Sequence, residues 1–199
     1  MFFSKPLYYT QLQYRITKKI MKKLPIGKQS FASLRMDDDM VYIDKTKYIL
    51  SLVQNRAPYF LSRPRRFGKS LLIDTIRCLF EGKKELFEGL YIYDQWDWKV
   101  KYPVVKIVFG EGFIDSKEKL RENVHKNLDE VYEEYGIESA YTSIDLRFSD
   151  LIKKLYKKTG RQVVVLVDEY DKPILDMINK IDIAGEIKDE LKGFYSVLK

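Results

Sequence analysis

The chain holds one cysteine, Cys78, and one histidine, His125, among its 199 residues. No internal disulfide can form, and a Cys/His zinc site has too few ligands. Such sparing use of cysteine fits a reducing, cytoplasmic compartment. No apolar run approaches the roughly 20 residues needed to span a bilayer, so a membrane is not an expected partner. The opening Met1-Phe-Phe-Ser-Lys-Pro6 lacks the apolar core of a secretory signal. Acidic charge is short in the first half: residues 1–100 hold 19 Lys and Arg against 10 Asp and Glu, and the rest hold 17 against 19. The excess gathers at Lys18 to Lys23 and at Arg63, Arg65 and Arg66. No aromatic-basic stacking motif accompanies it, so direct nucleic-acid binding is a secondary reading. Hydrophobic residues at 45% and charged residues at 33% describe a globular chain able to bury one core.

What stands out against these absences is Leu61-Ser-Arg-Pro-Arg-Arg-Phe-Gly-Lys-Ser-Leu71. It follows the apolar Pro58-Tyr-Phe-Leu61, and Leu71, Leu72, Ile73, Ile76 and Leu79 then recur at helical spacing. A short strand over 58–61, a basic turn and an amphipathic helix form the arrangement that cradles phosphates in P-loop NTPases. Gly68 lets the backbone approach the phosphates, Lys69 reaches their β and γ oxygens, and the Ser70 hydroxyl can ligate Mg2+. Arg65, Arg66, Phe67 and Leu71 complete the nucleotide-binding stretch, with Arg65 or Arg66 facing either the γ-phosphate or a partner. The first glycine of the phosphate-loop pattern should fall at Arg63 and is missing. The bland alternative is an ordinary helix start with Gly68 as a turn residue.

About a hundred residues on, Gln162-Val-Val-Val-Leu-Val-Asp168-Glu169 is an uninterrupted apolar run ending in two carboxylates. Such a run predicts a strand buried on both faces of a parallel sheet. An acid at its C-terminal end lies where open α/β sheets bind ligands. Asp168 would help hold Mg2+, as a Walker B aspartate does, and Glu169 is the catalytic candidate that polarises an attacking water. The alternative is a buried strand with a polar exit turn.

Elsewhere, Val41 to Thr46 predicts a short strand leading into a helix near 47–54, and Pro103 to Phe109 a central strand. Tyr91, Tyr93, Trp96 and Trp98 read as packing rather than as a platform for bases. Asp115 and Glu118 form a capping box ahead of the stripe Leu120, Val124, Leu128, Val131 and Tyr135, with Gly136 as the stop. Further helices are expected over 145–158 and 185–199, the latter facing inward through Ile187, Leu191, Phe194 and Leu198. Asp171 reads as a helix cap. The order of elements gives an α/β fold, a parallel sheet with crossover helices.

Pro25-Ile-Gly27 with Phe31, Tyr42-Ile-Asp-Lys-Thr46, Ser62 to Ser70, Phe80-Glu-Gly-Lys83 and Val167-Asp-Glu-Tyr-Asp-Lys-Pro173 together resemble the AAA-ATPase-like family of bacterial proteins. The resemblance covers about 21–199. Met21 reads as the natural start of the domain and residues 1–20 as an extension outside it. Arginine in place of the first glycine is usual in that family. The resemblance implies ATP and Mg2+ as ligands, a P-loop sheet of the catalytic-glutamate class, and a following PD-(D/E)XK nuclease-like domain with nucleic acid as its partner. It also implies a sensor strand beyond Lys199, inserted between the phosphate-loop and Walker B strands, so that the domain over 21–199 is incomplete at its C-terminus. The pairs Glu186-Ile-Lys188 and Glu190-Leu-Lys192 sit at helical spacing with an apolar stripe, and read as a solvated helix face rather than a nuclease centre. Three functions stay open: an ATPase coupled to an attached effector, a nucleotide-binding module or inactive fragment without turnover, and a DNA-processing protein of mobile-element or defence type.

Overall fold

The computed structural model describes residues 22–55, 57–64 and 66–198. The N-terminal extension over 1–20 and the candidate Arg65 lie outside the described residues. The sheet consists of two parallel strands, β1 (Val104–Val108) and β2 (Val164–Asp168), in register from Val104 opposite Val164 to Val108 opposite Asp168. Between them run the crossover helices α4 (Lys117–Glu134) and α5 (Ile144–Thr159). Ahead of the sheet come α1 (Phe31–Arg35), α2 (Thr46–Gln54), α3 (Lys69–Phe80) and a 3-10 turn over Lys84–Phe87. The short α6 (Lys172–Leu175) and the long α7 (Ile181–Ser196) follow β2.

Two apolar clusters hold these elements. The first joins β1, α4, α5 and α7, with Phe148 stacked on Phe194 at 4.6 Å between ring centroids. The expected α4 stripe supplies Leu120, Val124, Leu128 and Val131 to it, and α7 supplies Ile187, Leu191 and Phe194. The second lies among α1, α2, α3 and the 3-10 turn, centred on Phe31, Ile49, Leu79 and Phe87. Tyr93, Trp96 and Trp98 pack against it, as the sequence predicts, whereas Tyr91 is 47% exposed and lies outside the cluster. Cys78 is buried there, and burial pushes its thiol up to about 11, so it stays protonated and inert at neutral pH.

Polar contacts fix the second cluster to α3. The buried Asp74 accepts the Phe31 N–H at 2.7 Å and the Arg77 Nε–H at 2.9 Å. Asp44 clamps a distant turn: its Oδ1 accepts the Thr46 N–H and hydroxyl at 2.8 and 2.7 Å, and its Oδ2 accepts the Tyr91 N–H at 2.7 Å. Thr46 Oγ1 in turn accepts the Ile92 N–H at 3.2 Å. The Tyr-Ile-Asp-Lys-Thr motif is therefore a structural tie. At the outer edge of β1, Asn127 Oδ1 accepts the Val108 N–H at 2.8 Å and its Nδ2 donates to the Val108 carbonyl at 3.3 Å. A side-chain amide thus pairs where a neighbouring strand would, which blunts the edge.

Several expectations need correction. Residues 58–61 form no strand and lie largely exposed, with Phe60 at 71%. Nothing pairs with their backbone in the sheet, so their apolar side chains alone do not make a strand. Residues 41–46 form no strand either, because Asp44 turns the chain into α2; among the described residues an isolated bridge joins Lys23 and Met40 just before them. β2 is half-buried from Val164 to Val167 rather than covered on both faces, since it has β1 as its one strand neighbour. The cap of α4 is Ser116, whose Oγ accepts the Lys119 N–H at 3.2 Å, one residue after the expected box at Asp115. α7 starts at Ile181, four residues before the expected 185, and Leu198 is exposed. Asp171 occupies the N-cap position of α6, but its side chain makes no capping bond. Glu190 is not merely solvated: it pairs with Lys117 at 3.2 Å and Arg121 at 2.7 Å, tying α7 to α4.

Two measurements follow from this packing. Phe194→Ala should cost roughly 3–5 kcal/mol in a urea titration, and Leu198→Ala less than about 1 kcal/mol. Partial burial raises the Asp44 carboxyl, but bonds from Tyr91 and Thr46 and the Arg35 charge outweigh it and hold it below the usual 3.8. A carboxylate held low in the fold stabilises above its unfolded value and loses that effect as pH falls through its folded value. Urea midpoints should therefore fall between about pH 5 and pH 3, and Asp44→Asn should flatten that fall while lowering the midpoint at pH 7.

Candidate nucleotide-binding site

Arg66 and Gly68 both take left-handed backbone angles, φ 68° and 73°, on either side of the exposed Phe67. Two such residues fold the basic stretch into a tight turn that opens directly into α3. Gly68 is the N-cap of this 12-residue helix and has no side chain to offer its first turn. A helix start of this kind presents backbone N–H groups and the positive end of the helix dipole. Lys69 folds back over the turn, its Nζ donating to the Arg63 carbonyl at 2.7 Å. Ser70 and Leu71 are half-buried, and Leu71 packs on the second apolar cluster while its carbonyl accepts the Thr75 hydroxyl at 2.7 Å.

The second half of the site stands at the C-terminal end of β2. Asp168 is 5% exposed, pairs with Val108 across the sheet, and accepts the Glu169 N–H at 3.0 Å through Oδ1. Its carbonyl accepts the Phe109 N–H at 3.2 Å. Glu169 then turns the chain with a left-handed φ of 52°, and its carbonyl accepts the Lys172 N–H at 3.0 Å. Its carboxylate lies over Gly110, just past the end of β1.

Two features bring the halves together. α3 packs along β2. Phe60, just before the turn, meets Tyr170, just after the acid pair, edge to face at 4.8 Å. Neither Phe60–Tyr170 nor Gly110–Glu169 has a spacing signal in the sequence, because each joins residues far apart along the chain. The one hint was the position of Gly110 behind an apolar strand. A separate cavity of about 310 Å³ runs along the outer edge of β1, lined among others by Arg77, Lys106, Glu111 and Asn127. It belongs to the edge that Asn127 closes, not to this site.

Fold and site together define an α/β protein with a two-stranded parallel sheet, flanking helices, and a glycine-lysine helix start beside paired acids. The profile of the family described as predicted AAA-ATPase matches residues 25–199, and the chain belongs to that family. It is 47% identical over 178 residues to an uncharacterized protein in the vnfD 5′ region of Azotobacter chroococcum mcd 1, a match covering 89% of this chain. The chain spans about a third, 34%, of that relative's length. No solved structure matches. No helix among the described residues is long and apolar enough to cross a membrane.

A Cβ at Gly68 would meet no atom within 4 Å, so Gly68→Ala tests the backbone alone. At φ 73° it should destabilise by about 1–2 kcal/mol, read as a lower thermal midpoint.

Proposed function

We propose that this chain is the ATP-binding domain of an ATPase, with Arg66 to Leu71 as its phosphate loop and Asp168 and Glu169 as its Walker B acids. The observation that carries the reading is the turn itself: a left-handed glycine N-cap followed by Lys69 on a long helix that packs beside a strand ending in a buried aspartate. These residues fit a nucleotide phosphate and Mg2+. Backbone N–H groups of Gly68 to Leu71 would bind the phosphates, and Lys69 would leave the Arg63 carbonyl to meet their charge. Arg66, and Arg65 from outside the described residues, would add positive charge at the γ position. Ser70 and Asp168 would hold Mg2+, which when bound neutralises charge on the phosphates. Glu169 would orient a water and accept its proton.

A reading without turnover has its own support. The stretch over 58–61 forms no strand, so the sheet does not tie Ser70 and Asp168 to a common frame. A displacement near 1 Å in such a site can lower a rate about a hundredfold. We therefore propose that these 199 residues bind ATP and hydrolyse it slowly, and that an added strand pairing with β2 restores turnover. In a protein of the relative's proportions, ATP turnover would drive an attached effector. The resemblance points to a nuclease-like effector with nucleic acid as its partner.

Calorimetric titration with Mg-ATP should give binding to the chain and its loss in Lys69→Ala; equal affinity in both rejects the phosphate-loop assignment. Glu169→Gln should keep the affinity and lose most of the turnover, since only the chemical step depends on it.

A further inference from the structure

We infer that Gly110 is a positioning residue for Glu169, and that its missing side chain is the space in which the Glu169 carboxylate is held. A Cβ built on Gly110 would stand 2.8 Å from Glu169 Oε2, 2.9 Å from Cδ and 3.2 Å from Oε1. Carbon and carboxylate cannot share that space. The backbone of Gly110 does not itself call for glycine, because it lacks the left-handed angle found at Gly68. Space, rather than conformation, makes glycine the residue that fits.

The backbone that carries the acid is fixed. Its N–H is bound to Asp168 Oδ1 at 3.0 Å, its carbonyl to the Lys172 N–H at 3.0 Å, and its φ of 52° sets where the side chain departs. The ladder beneath it is fixed by the Phe109 N–H to Asp168 carbonyl bond at 3.2 Å, which keeps Gly110 opposite the acid. The end of β1 therefore acts on the site through shape: it leaves the carboxylate room over Gly110, just past the strand. This inference rests on Glu169 being the proton acceptor proposed above.

The test is Gly110→Ala in three backgrounds of the full chain: unchanged, Glu169→Ala and Glu169→Asp. The new methyl meets only the far end of a flexible side chain, so folding should survive. In the unchanged background it should lower the urea midpoint, and in Glu169→Ala it should not, because the obstructing carboxylate is gone. Equal shifts in both backgrounds would overturn the inference. In single-turnover hydrolysis with protein in excess, Gly110→Ala should slow the chemical step by roughly ten- to a hundredfold and leave Mg-ATP affinity unchanged. In Glu169→Asp the acid is one methylene shorter and falls short of Gly110, so Gly110→Ala should slow it no further. If Glu169→Gln abolishes hydrolysis while Gly110→Ala leaves it intact, the positioning role fails and the assignment of Glu169 stands. If Glu169→Gln hydrolyses ATP normally, both fall.

Discussion

The acid half of the candidate site hangs on one short parallel ladder. Five pairs, Val104 with Val164 through Val108 with Asp168, set the register of β1 against β2. Because side chains alternate along a strand, slipping this ladder by one residue would turn Asp168 to the opposite face. It would also part Gly110 from Glu169. The ladder is held from both sides: the first apolar cluster packs α4, α5 and α7 on it, and Asn127 closes its outer edge. Its C-terminal end delivers a buried aspartate, a strained glutamate and a glycine niche to one place.

The helix that carries the phosphate-loop candidate is anchored differently. Its first turn is open and its turn residues are exposed, whereas its second half is gripped through Asp74, Arg77, Cys78 and Leu79. The Phe31 N–H reaches this helix at Asp74 from a segment that precedes the loop in sequence, and the Asp44 clamp ties the turn at Tyr91 that follows it. A loop that must admit a ligand can stay loosely packed only if the helix behind it is firmly held. Phe31 and Tyr42 to Thr46, which precede the loop, are thus held in the fold by packing and hydrogen bonds.

The candidate site residues were legible because they are local. Gly68-Lys69-Ser70 and Asp168-Glu169 are contiguous patterns, and the stripes of α4 and α7 follow the 3.6-residue period. Strands were read less well. The Pro58 to Leu61 run carries strand-forming side chains yet forms none, because a strand exists only through a partner. The full burial expected of Val164 to Val167 depended in the same way on neighbours that the sheet does not supply. The α4 cap moved from Asp115 to Ser116 because the local backbone, not residue type alone, selects which oxygen meets the third N–H.

By itself, then, the sequence determined residue identity and period: an α/β protein, a glycine-lysine-serine helix start, an acid pair closing an apolar strand, and family membership. Only tertiary structure decided which distant groups share space. Lys69 bends to the Arg63 carbonyl, Phe60 meets Tyr170, and Gly110 leaves room for Glu169. The first depends on how the turn folds and the other two on strand register and packing. Those are set by the whole chain's burial and hydrogen bonding, and no local pattern encodes them.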